Sequence, residues 1–106
     1  MAWLYLVAAG LLEIFWATCL KLSHGFSVGK FSALTIIGMV ASFFLLSQAT
    51  KILPIGTAYA IWTGIGALGA VVVGILMFKE SLTAARIFFA ALLLMGIIGL
   101  KITSEV

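Results

Sequence analysis

The sequence predicts an all-α membrane protein with four transmembrane helices per subunit, and three observations lead there. Hydrophobic residues make up 65% of the 106 residues and charged ones 8%, a balance that no soluble domain of this size can cover. The apolar residues fall in four runs of about twenty, the length that crosses a bilayer as a helix. These runs are continuous and do not alternate in segments of about ten, which excludes a membrane barrel. A single domain over residues 1–106 is expected, with no room for a separate soluble one.

The first helix is expected over 2–21. It lacks a basic leader and carries Glu13 where a cleaved signal would be purely apolar, so it is expected to be retained. Ser23, His24, Gly25, Ser27 and Gly29 break the pattern, with His24 solvated, and a second helix follows over 31–49. The next break, Thr50 to Gly56, contains the single proline, Pro54, and opens a third helix over 55–78. Lys79, Glu80, Ser81 and Thr83 form the third turn before a fourth helix over 84–101. Glu80 and Glu105 belong at the water interface.

The net charge of +3 comes from six Lys and Arg against three acids. All six basic residues lie at helix ends or in loops, a pattern of membrane anchoring that gives no nucleic-acid partner. Lys21, Lys30, Lys79 and Arg86 flank the odd-numbered loops, and Lys51 and Lys101 lie on the other side. Four against two is a weak orientation signal, which leaves both insertions open. The lone Cys19 cannot form an intrachain disulfide and reads as packing. No His, Cys, Asp or Glu cluster has metal-ligand spacing and there is no nucleotide-binding loop. Neither a metal nor another cofactor is expected, nor an enzyme.

Glu13 is the one acid inside a predicted span. From Ala2 a helix climbs roughly 16 Å to reach it, in a hydrocarbon layer about 30 Å thick. A carboxylate there costs a few kcal/mol and marks a functional site. Leu6, Ala9, Gly10, Trp16, Ala17 and Leu20 share its helical face. Ser42 on helix two offers a hydroxyl to a carboxylate. On helix three Tyr59 and Trp62, readable as site residues or as an interfacial belt, precede the small-residue ladder Gly66, Ala70, Gly74. Gly64, Gly66 and Gly69 also make that helix a candidate hinge. Trp3 and Tyr5 read as belt, and Leu92, Met95, Gly96 and Gly99 as a helix-packing seam. Four thin helices hardly enclose a transport path, so an oligomer is expected. Two opposed copies would form an inverted repeat from separate chains.

Glu13 with Trp16, the stretch from Lys51 to Ala67 containing Pro54-Ile55-Gly56-Thr57-Ala58-Tyr59-Ala60-Ile61-Trp62, and the tail Gly96-Ile97-Ile98-Gly99-Leu100-Lys101 resemble the small multidrug resistance family. Within it they resemble the guanidinium-exporter subtype, over essentially the whole chain. The resemblance implies an antiparallel, dual-topology homodimer in the bacterial inner membrane that exchanges protons for guanidinium-type cations by alternating access. It also implies that Glu13 is the shared proton and substrate site, with Trp16, Ser42, Tyr59 and Trp62 lining it and Gly10 giving room. The quaternary-ammonium branch usually has a small residue at the position of Trp16 and tends to have a tyrosine at that of Met39. Gly29-Lys30-Phe31 departs from the Pro-Ser common at the start of helix two. The alternatives are a broader multidrug exporter of quaternary ammonium ions and a non-transporting small membrane subunit.

The chemistry is consistent with that expectation. A carboxylate accepts two parallel N–H bonds from planar guanidinium, and aromatic rings add cation–π attraction. The Trp16 N–H and the Ser42 and Tyr59 hydroxyls are expected to hold Glu13 in place.

Overall fold

A computed structural model describes residues 1–103; Glu105 lies outside the described residues. Four helices follow one another: α1 Ala2–Leu22, α2 Gly29–Ala49, α3 Ile55–Met77 and α4 Ala84–Thr103. Each is long and apolar enough to cross a membrane. Their 20 to 23 residues correspond to roughly 30–35 Å of helix, one hydrocarbon thickness or slightly more. The chain is therefore a multi-pass membrane protein.

The helix ends differ from the sequence expectation by two residues in two places: α4 runs on to Thr103 rather than ending at 101, and α2 starts at Gly29 rather than residue 31. The reason for the early start of α2 lies in the first loop. Ser23, fully buried, closes α1 by donating its hydroxyl to the Leu20 carbonyl at 2.6 Å. The same hydroxyl accepts the Phe26 N–H at 3.1 Å, and the Ser23 carbonyl accepts the N–H groups of Ser27 and Val28. This tight knot requires left-handed backbone at His24, Gly25 and Phe26 (φ +48°, +71° and +67°), unfavourable for the two residues with side chains. Val28 then returns to an extended conformation, and its carbonyl starts the ladder of α2 by accepting from Ser32. Lys30 and Phe31 thus lie within the first turn of the helix.

Helix α1 is the hub. It packs along α2 and along α3, whereas α2 and α3 barely touch and α4 packs along α3, with the Lys101 ammonium over the Trp3 ring of α1. Small residues determine these approaches, because in lipid the association rests on close van der Waals contact. A Cβ at Gly38 would lie 2.9 Å from the Trp16 Cβ, so α2 and α1 meet without a side chain between them there. On the other flank Gly10 faces Ile65 and Gly69 faces Ile14. Leu6 and Ala9 of α1 join Ala49 and Leu53 at the second loop, and Ala58, Ile61 and Trp62 of α3, in one buried cluster.

Helix α4 buries no residue. Leu92 and Met95 are exposed, and neither Gly96 nor Gly99 has an atom within 4 Å of the place a Cβ would occupy. The expected packing seam is therefore open within one chain.

Candidate functional site

Glu13 lies just past the middle of α1. Its carboxyl group is seated directly against Gly66 of α3, where a Cβ would overlap it. Only a glycine at position 66 leaves that volume free. One carboxylate oxygen, Oε1, is buried without a hydrogen-bond partner, and the same holds for the indole Nε1 of Trp16 one turn along. An unpaired acceptor and an unpaired donor, both in a membrane-spanning helix, are unfavourable and unusual. A carboxylate so held is satisfied by a proton or by a cation with N–H donors.

The tie across the bundle runs through Ser42. Its hydroxyl donates to the Ala9 carbonyl of α1 at 2.6 Å and accepts from Trp62 Nε1 of α3 at 3.0 Å, both bonds buried. One side chain thus joins three helices at the level of the site. The expectation that Ser42 donates to the carboxylate is corrected here: a hydroxyl has a single proton, and this one lies on the Ala9 carbonyl. Its lone pair meets the indole, and together these bonds satisfy a fully buried polar group.

Aromatic rings extend from that tie. Phe43 stands edge-on to Trp16 (centroids 6.4 Å apart, planes at 70°) and to Trp62 (5.5 Å, 61°), and Tyr59 lies 5.6 Å from Trp62. The row Trp16, Phe43, Trp62, Tyr59 crosses from α1 over α2 to α3. Trp62 is buried, at 6% exposure, and belongs to the core rather than to a lipid-facing belt. Tyr59 is 56% exposed, at the open end of the row. Edge-to-face pairs of this kind are worth about 0.5–1.5 kcal/mol each beyond area burial.

The structure therefore gathers Trp16, Ser42, Tyr59 and Trp62 into one connected arrangement of bonds and rings. Gly10 has a different part: a Cβ there would come 2.7 Å from Ile65 Cγ2, so its room is taken up by α3 packing. Two participants escaped the site expectation. Gly66 was legible as part of a small-residue ladder, but helical periodicity cannot say which rung faces the carboxylate. Phe43 follows Ser42 directly, and residues adjacent on a helix do not normally share a face; its ring reaches the two indoles through its length.

Comparison with known proteins places these features in a family context. A family model described as Small Multidrug Resistance protein matches residues 1–93. A protein named guanidinium exporter from Yersinia pseudotuberculosis serotype I (strain IP32953) is 57% identical over 104 residues, covering 98% of this chain and all of that protein. Proteins of the same name from Salmonella typhimurium (strain LT2) and Escherichia coli (strain K12) are 55% and 51% identical over 105 residues, in both cases 99% of this chain and all of the relative.

Proposed function

We propose that this chain, which belongs to the small multidrug resistance family, exports guanidinium and singly substituted guanidines in exchange for protons. The observation that carries the reading is the Glu13 carboxylate, inside a membrane-spanning helix with an oxygen that has no partner. Proton and cation compete for that one group, so loading one releases the other. The relatives named guanidinium exporters support the choice of cation. So does the shape of the acceptor, because two carboxylate oxygens match the fork of N–H groups on a planar guanidinium.

The surrounding residues position rather than react. Gly66 gives the carboxylate its seat. Ser42 holds α1 and the Trp62 ring together, so that the aromatic row keeps its place while the cation comes and goes. Trp16 Nε1, one turn along α1 from Glu13, is a buried donor without a partner and is free to pair within the site when the cation arrives or leaves. The Tyr59 ring, at the exposed end, offers its face and hydroxyl to an arriving cation. No covalent chemistry is involved, and the work is transport, not catalysis.

A second, antiparallel copy completes the path. One chain leaves α4 with no buried residue and an open glycine seam, and its basic residues only weakly favour one orientation. Opposed copies bring two Glu13 groups to one site and let it open to each face in turn.

Purified protein in liposomes tests the reading. An imposed guanidinium gradient is expected to drive proton movement in the opposite direction, and tetramethylammonium, which has no N–H, is expected to drive little. Equal exchange of the two ions favours a broader multidrug exporter. Absence of proton movement with either favours a subunit that does not transport.

A further inference from the structure

A second carboxylate, in the third loop, stands outside the site described above. The N–H groups of Phe78 and Glu80 both donate to the Gly74 carbonyl, at 3.1 and 3.0 Å. Between them Lys79 takes φ +56°, a left-handed conformation that residues with a side chain rarely adopt. The reversal folds Glu80 back over the end of α3, so that a Cβ at position 74 would lie 2.6 Å from both carboxylate oxygens. With Thr18, Lys21 and Ala70, among others, Glu80 lines a cavity of about 130 Å³ between α1 and α3.

That cavity and the seat of Glu13 lie along one face of α3. The ladder Gly74, Ala70, Gly66 runs from Glu80 to the seat of Glu13, a climb of about 12 Å for eight helical residues. Glu13 and Glu80 are the only acids among the described residues, and they stand at the two ends of this ladder.

Glu80 already holds a guanidinium. Arg86 Nη2 lies 3.1 Å from Glu80 Oε1, and Arg86 Nη1 donates to the Ser81 carbonyl at 3.0 Å. Both side chains are partly exposed, at 41% for Glu80 and 32% for Arg86, so solvent cations can compete for the pair. An arginine side chain is a singly substituted guanidinium. A carboxylate that receives it can receive the same N–H groups from a free one.

We propose that Glu80 is an outer recognition site for guanidinium-type cations at the loop-three mouth of the α1–α3 cavity, with Arg86 as its resident competitor. This rests on the transport reading above. Lys21, in the same cavity, and neighbouring Lys79 add positive charge that keeps the site weak. Weak binding suits a relay, since a path needs successive sites that capture an ion and still release it. In an antiparallel pair one such mouth stands at each membrane face.

Proton flux driven by graded guanidinium in liposomes tests the proposal. Glu80→Gln is expected to raise KM about threefold, in line with loss of one partly exposed charge interaction, with the change falling on KM rather than on the maximal rate. Arg86→Gln is expected to move KM the other way, because the competitor is gone, and Glu80→Asp to restore most of the lost affinity. A carboxylate that merely staples the loop predicts that removing either partner has the same effect, since one bond is lost in both; parallel shifts, or none, overturn the outer site. The salt dependence of KM gives a second readout that survives poor expression: a shallower slope in Glu80→Gln supports the site, and an unchanged slope overturns it. If the unmodified protein moves no protons with guanidinium, the transport reading falls and the outer site with it. Intact flux with an unaltered KM in Glu80→Gln overturns the outer site alone.

Discussion

Helices α1 and α4 are nearly equal in length and apolarity, yet α1 has five buried residues and α4 none. Both carry small residues that allow close approach. On α1 the small residue Gly10 is covered by Ile65 of α3, whereas Gly96 and Gly99 of α4 face open space. Hydropathy therefore brings a helix into the membrane without saying whether it lies inside a bundle or at its edge. What separates the two is the availability of a partner surface, since helices in lipid associate through close packing and hydrogen bonds rather than by hiding apolar area from water.

The strongest test of the contrast is at the hub. Glu13→Gln is expected to abolish guanidinium-driven proton exchange and cation binding together, because the amide neither ionises nor accepts a forked cation; flux and equilibrium binding measured on one preparation check this. Glu13→Asp is expected to keep partial exchange. Gly66→Ala comes next. Its methyl group enters the volume that the carboxyl occupies, and an overpacked interior costs about 1–3 kcal/mol. A loss of exchange of roughly tenfold or more is expected, at the scale of about 1.4 kcal/mol per decade. Wild-type flux in Gly66→Ala would show that the seat of Glu13 is not constrained by α3.

At the edge helix the expected effect is on assembly. A Cβ at position 99 meets no atom of its own chain within 4 Å, so in Gly99→Leu helix content measured by circular dichroism is expected to stay unchanged while crosslinked dimer falls. Undiminished dimer would place the partner surface elsewhere. The smallest effect is expected at Trp62→Phe, which keeps a ring and removes the N–H that Ser42 accepts. A neutral hydrogen bond of this kind contributes about 0.5–1.5 kcal/mol. A slight fall in thermal stability in detergent is expected, and no fall would mean that the Ser42 tie holds through the Ala9 carbonyl alone.

Four membrane-length helices, their breaks and the one acid inside a span were determined by the sequence, because hydropathy and turn chemistry are local properties. The unfavourable position of Glu13 was equally legible, since no neighbour is needed to make a carboxylate in hydrocarbon unfavourable. The partners of Ser42 were not, because a helical serine can serve any acceptor in reach; only the packing of α1 on α2 brings the Ala9 carbonyl to 2.6 Å. Nor could the ladder Gly66, Ala70, Gly74 reveal that its first rung receives Glu13 and its last Glu80. That pairing depends on the register between α1 and α3 and on the left-handed turn at Lys79. Register is settled by how side chains interlock along two helices at once, so only the tertiary structure could decide it.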